Sequence, residues 1–170
     1  RALEGIDPEG VHQMRVATRR TRAIMKAFRE MLGDATVARF NAELRWLARN
    51  LGRARDADVI ERRAKEAGET DAGHYLRFLE QETIEAYEHL ADVLQSERCA
   101  ALENDLQQFV SAGPAGTMRE RFGDLSIAEC ARRYIQPALA RLLAHGDAID
   151  ADAPARELHR LRIDAKRFRY

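Results

Sequence analysis

Apolar residues recur every three or four positions along most of the chain, and nowhere do they alternate with polar ones in a β-branched run. Val11, Met14, Thr18, Thr21, Met25, Phe28 and Leu32 follow this spacing, which puts them on one face of a helix of 3.6 residues per turn. Asp7 is placed to cap that helix, Pro8 suits its first turn, and Gly33 is placed to end it. A second helix is predicted over roughly 35–51, with Val37, Phe40, Leu44, Leu47 and Leu51 inward and Gly52 as its stop. A third should start near Asp56 and run to Ala67, before the turn-like GETDAG. The longest is predicted over about 73–96, with Leu76, Leu79, Ile84, Tyr87, Leu90 and Leu94 as core positions, and a shorter one continues to about Ala112.

The stretch Gly113–Asp124 is the clearest loop. Ser126 then reads as the cap of a helix to about His145, kinked at Pro137, and GDAIDADAP is a second loop before a last helix beginning near Pro154. The expected fold is all-α, with about seven antiparallel helices in bundle-like packing. A chain of 170 residues, 45% hydrophobic and 33% charged, is long enough to bury a core as one domain. Cys99 and Cys130 lack a CxxC spacing and are too few for a disulfide framework, which fits a reducing compartment. No apolar run approaches the ~18 residues of a membrane span and no signal-peptide pattern opens the chain. A cytoplasmic location follows as the expectation.

The formal net charge is zero, yet charge is segregated along the chain. Residues 11–55 hold 11 Lys+Arg and 3 Asp+Glu, residues 56–130 hold 7 and 17, and residues 131–170 hold 9 and 5. Two basic segments around an acidic one point to a localised anion site.

The first and last helices share a pattern. His12, Arg15, Arg19, Arg20 and Arg22 align with His159, Arg162, Lys166, Arg167 and Arg169 at a constant offset of 147. The apolar positions keep the same offset: Val11 with Leu158, Met14 with Leu161, Val16 with Ile163. An internal repeat of this kind implies two similar halves, an N-terminal repeat over 1–150 and the start of a second over 151–170. The expectation is a domain whose second half is cut short.

His12, Arg15, Arg19, Arg22 and Lys26 follow 3-4-3-4 spacing and so form one stripe, about 110° around from the apolar face. It runs about 21 Å at 1.5 Å per residue. His159, Arg162, Lys166 and Arg169 make the matching stripe, while Arg20 and Arg167 point elsewhere. Cations stacked at these spacings destabilise a helix by roughly 0.2–0.5 kcal/mol per pair, and an elongated polyanion would relieve the repulsion. Arginine offers planar, forked, permanently charged donors to phosphate oxygens, lysine a point charge, and each histidine a further hydrogen bond. Two such stripes facing each other across a shared groove would grip a thin polyanion.

The segments VHQMRVATRRTRA, LGRARDADV at 51–59 and LHRLRIDAKRFRY together resemble the CHAD domain, the conserved-histidine α-helical domain. The resemblance implies related helical bundles around a basic channel and binding of inorganic polyphosphate without catalysis. The contacts it implies are His12, Arg15, Arg19, Arg20, Arg22, His159, Arg162, Lys166, Arg167 and Arg169, with Arg55 from the Arg-Asp block as a weaker candidate. Asp56 and Asp58 are expected to orient arginines or cap a helix. Members often sit beside a triphosphate-tunnel (CYTH) domain, but no ExExK occurs here.

Against this reading stand an enzyme of phosphate chemistry that uses the histidines as phospho-acceptors or metal ligands, and a nucleic-acid binder. Two histidines without a matched carboxylate cluster make a poor metal set, and no Gly-rich phosphate loop, HExxH or nucleophile elbow is present. The basic stripes lack interleaved stacking aromatics, so polyphosphate is favoured over nucleic acid. No cofactor is expected. His74, His89 and His145 read as isolated exposed or capping residues, Trp46 as packing, and Arg45 and Arg49 as either an extension of the basic surface or partners of nearby acids.

Overall fold

The computed structural model describes residues 7–68, 73–112, 124–150 and 152–169, the side chains of Ile127 and Arg167 excepted. Among these the chain forms seven helices and no strand: α1 (Pro8–Ala27), α2 (Arg29–Leu32), α3 (Asp34–Ala67), α4 (Gly73–Gln95), α5 (Glu97–Ala112), α6 (Ile127–Asp147) and α7 (Ala155–Arg169). The all-α expectation holds. The predicted turn at 69–72 and most of the loop at 113–124 lie outside the described residues. The chain divides into two compact units, Arg1–Arg22 with Ala38–Gly113, and Ala23–Val37 with Pro114–Tyr170.

In the first unit α1 opens as its sequence requires. Asp7 Oδ2 accepts from the Gly10 N–H at 3.1 Å, satisfying one of the donors that a helix start leaves bare. Val11 behind it is fully buried and packs with Leu51 and Ala54 of α3 and Ala86, Tyr87 and Leu90 of α4. Phe40 and Leu44 extend the core, and the Phe40 ring meets Phe109 of α5 at 5.2 Å.

The spine of this unit corrects the sequence reading. Gly52 does not stop a helix: α3 runs unbroken through it and through Asp56 for 34 residues, about 51 Å. A mid-helix glycine costs about 1 kcal/mol against alanine, but Leu51 and Ala54 on either side are buried completely, and that packing carries the helix across. Pairings along α3 then fix its neighbours. Lys65 meets Glu80 and Asn50 meets His89 on α4, whereas Glu43 meets Arg98 and Arg39 meets Asp105 on α5. Both α4 and α5 therefore run antiparallel to α3, one after the other. Ser96 makes the junction, its hydroxyl accepting from the Cys99 N–H at 3.2 Å. On α4, Ile84 is exposed at the packing edge, contrary to expectation, and Ala86 and Val93 take buried places instead.

The second unit holds the end of α1, then α2, α6 and α7. The first helix stops at Ala27, short of the predicted Gly33. Phe28 leaves helical geometry at φ −96°, ψ 23°, its ring 5.0 Å from that of Tyr134 on α6. One more turn, α2, follows before Gly33 at φ +80°, a conformation that favours glycine. Glu30 of α2 pairs with Arg133 of α6 at 3.0 Å. Ser126 caps α6, as the sequence predicted, and the structure adds a reciprocal box with Glu129; α6 continues through Pro137 to Asp147. α7 packs on α6 where Leu161 lies 3.9 Å from the place a Cβ on Gly146 would take and Asp164 meets His145.

Candidate functional site

The first unit supplies the backing for the basic row on α1. Arg15 Nη1 donates to the Gly52 carbonyl at 3.1 Å and reaches Asp56 Oδ1 at 3.4 Å. Arg22 Nε donates to Asn41 Oδ1 at 2.9 Å. Moving up α1 by seven residues thus moves down α3 by eleven, so the helices are antiparallel and the row follows one edge of α3. A Cβ on Gly52 would stand 3.4 Å from Arg15 Nη1, an ordinary contact with the end of a flexible side chain, so only a side chain larger than a methyl would crowd the guanidinium off the carbonyl. Arg15 and Arg22 are half-buried by this seating, while His12 and Arg19 beside them are exposed. Arg20 is exposed on another side of α1, as expected. Lys26, the last member of the row, is exposed and falls in the second unit.

The Arg-Asp block behaves as an orienting device. Asp56 meets Arg15, and Asp58 pairs with Arg55 within α3, so both acids hold arginines and neither caps a helix. Arg55 is half-buried beside Tyr87. The Tyr87 hydroxyl is buried with no hydrogen-bond partner among the described residues. Burial pushes its pKa above the usual phenol value, the nearby Asp58 charge adds to this, and Arg55 opposes it.

The other cations of α3 fall into order once the α1 contacts are known. On the side away from α1, Arg98 of α5 bonds both oxygens of Glu43 at 2.7 and 3.0 Å and lies over the Trp46 ring at 4.3 Å. That pairing lowers the Glu43 pKa and raises that of Arg98. Trp46 is therefore packing, as predicted. Arg45 and Arg49 make no ion pair among the described residues and are exposed, so the reading that pairs them with nearby acids does not hold. Arg53 joins them at the same spacing of four, a position the sequence reading passed over although the row R-x-x-x-R-x-x-x-R was visible.

In the second unit His159, Arg162, Lys166 and Arg169 are exposed on α7. Arg167 is in the helix, its side chain outside the described residues. None of His159, Arg162 and Lys166 is ion-paired among the described residues. The side of α7 that packs on α6 carries Leu161 and Asp164 instead. Asp164 lies off the basic row, as expected, and Oδ2 is 2.7 Å from His145 Nδ1. His145 is thus half-buried and paired, not isolated and exposed. His89 bonds Asn50 at 3.0 Å and His74 is exposed.

The family model described as CHAD domain matches residues 1–170. The chain belongs to the CHAD family. A crystal structure of the CHAD domain from the plant Ricinus communis superposes with a TM-score of 0.74 at 30% identity, covering 99% of this chain and 56% of that one. Uncharacterized proteins from two strains of Mycobacterium tuberculosis are each 31% identical over 179 residues, covering all of this chain and 35% of their own length. The CHAD chain thus spans about a third of the length of the curated relatives it matches. The segments that carried the resemblance now have structural places: the first lies in α1, the second in the middle of α3, and the third, as far as Arg169, in α7. Among the described residues no helix is long and apolar enough to cross a membrane.

Proposed function

We propose that this CHAD domain binds inorganic polyphosphate as a non-catalytic module, in the cytoplasm and at polyphosphate granules. The observation that carries the reading is the seating of Arg15 and Arg22 on α3, at 3.1 Å to Gly52 and 2.9 Å to Asn41, in a row with exposed His12 and Arg19. Side chains already held in place lose less freedom when a ligand arrives. Guanidinium forks then take phosphate oxygens by charge-assisted hydrogen bonds, and the polyanion sheds condensed counterions. The repeated row on α7 offers the same chemistry through His159, Arg162, Lys166 and Arg169. Arg20, Arg55 and Arg167 are implied only by membership of the family. Of these, Arg55 is already engaged by Asp58.

The test is titration with polyphosphates of increasing length at two ionic strengths. Affinity should rise with length and fall steeply with salt; binding that ignores both would count against the reading. Duplex DNA as competitor should displace polyphosphate poorly, and displacement at equal phosphate concentration would favour a nucleic-acid ligand instead.

A further inference from the structure

The cations of α3 divide into two sets. Arg39, Arg55 and Arg62 pair with Asp105, Asp58 and Glu66, and Lys65 pairs with Glu61 and Glu80. The rest are exposed and have no such partner among the described residues: Arg63 near the end of the helix, and the evenly spaced Arg45, Arg49 and Arg53. Their spacing of four residues stacks them in one row that drifts slowly around the helix, and each repels the next. The row begins where α3 borders α1. Asn41, which receives Arg22, lies one turn before Arg45 on the same edge, and Gly52, which receives Arg15, lies one turn beyond Arg49. Between those two points the edge carries Arg45, Ala48 and Arg49, and no acid.

We infer that Arg45, Arg49 and Arg53 form a second row of contacts for the same polyphosphate chain, so that the first unit grips it from two adjacent helices. The inference rests on the reading that α1 binds polyphosphate. Packed helix axes lie about 8–10 Å apart, a gap that extended arginines from both sides converge over. Each internal phosphate of the polymer carries non-bridging oxygens on either side of its P–O–P backbone. One side meets Arg15, Arg19 and Arg22, the other Arg45 and Arg49, with Arg53 serving the next phosphates as its position drifts outward. No second stripe from another part of the chain is needed for this grip.

The experiment compares two double variants of the full chain by calorimetric titration with polyphosphate of defined length. Arg45→Gln with Arg49→Gln should weaken binding about tenfold at low salt. It should also flatten the dependence of log affinity on log salt by about 1.4, near 0.7 for each cation withdrawn from a single-stranded polyanion. Arg63→Gln with Arg77→Gln removes the same charge beyond the last contact between α3 and α1, and should change affinity less than about twofold, because only cations close to the phosphates release counterions. Circular dichroism should be unaltered in both, since all four side chains are exposed. Wild-type affinity in the first variant, or equal weakening in both, overturns the second row while leaving the role of α1 intact. A wild-type chain that does not bind polyphosphate overturns the parent reading instead. Loss of DNA binding with polyphosphate binding unchanged assigns the row to nucleic acid and likewise overturns the inference.

Discussion

α1 and α7 carry the same pattern at an offset of 147, yet they sit in different surroundings. Val11 on α1 is 0% exposed, whereas its counterpart Leu158 on α7 is 54% exposed. α1 packs through the line of Val11, Thr18 and Met25, all buried. The equivalent line on α7 is open, and that helix packs through Leu161 and Asp164, about 60–120° around the axis at 100° per residue. The cations follow suit. Arg15 and Arg22 rest on named atoms of α3, while Arg162 and Lys166 stand exposed without an ion-pair partner among the described residues. A repeat therefore fixes which residues share a line along a helix, but what packs against the helix decides which line is buried and which charges are held.

Charge reversal should expose this difference most strongly. Arg15→Glu with Arg19→Glu should weaken polyphosphate binding by at least about 100-fold, near 2.8 kcal/mol at 1.4 kcal/mol per decade, with the chain still folded by circular dichroism although the bonds from Arg15 to Gly52 and Asp56 are lost. Arg162→Glu with Lys166→Glu should cost about tenfold, because unseated side chains give back more entropy on binding and contribute less to begin with. A larger loss from the α7 pair would show that seating does not set the ranking.

The apolar members of the repeat give the stability version of the same comparison. Val11→Ala removes two buried methyl groups from the contact with Leu51, Ala54 and Leu90, and should cost about 2 kcal/mol in chemical denaturation. Leu158→Ala removes more atoms from a largely exposed site and should change stability by no more than about 0.5 kcal/mol. Equal costs would mean that Leu158 is covered in solution.

Most of the architecture was legible because helical spacing is local. The apolar faces of α1 and α4 and the caps at Asp7 and Ser126 all follow from residues within a few positions of one another. The failures share a cause. Gly52 looked like a stop because a lone glycine weakens a helix, and only the packing of Leu51 and Ala54 on α1 and α4 shows why α3 continues. Ile84 satisfied the period but lies at the edge of the contact, which depends on the crossing of two helices. The basic row on α1 was readable as a row. Its support from Asn41, Gly52 and Asp56 was not, since those partners are 19 to 41 residues away in the chain.

Tyr87 offers a further contrast, since it lies under α1 in the fully packed core. Its hydroxyl is buried without a partner among the described residues, so Tyr87→Phe should stabilise the chain by about 1 kcal/mol at neutral pH. The sign at high pH follows from its raised pKa. The unfolded chain ionises first, near pH 10, so stability present below that value is lost as pH rises through the folded pKa. The variant should flatten this alkaline limb. An unchanged limb would remove Tyr87 as its source.

The smallest effect expected is at Gly52, where helix propensity and the seating of Arg15 pull in opposite directions. Replacing a mid-helix glycine by alanine relieves up to about 1 kcal/mol. A methyl at this position would stand 3.4 Å from Arg15 Nη1, an ordinary contact with the end of a flexible side chain. Gly52→Ala should therefore raise stability by about 0.5 kcal/mol and leave polyphosphate affinity within about twofold. Gly52→Val brings a branched side chain into the same space and adds β-branched crowding to the helix. It should push Arg15 off the carbonyl and weaken binding several-fold without unfolding α3. If both variants bind like the wild type, the bond from Arg15 to Gly52 is incidental, and the α1 row would have no more preorganisation at this position than the row on α7.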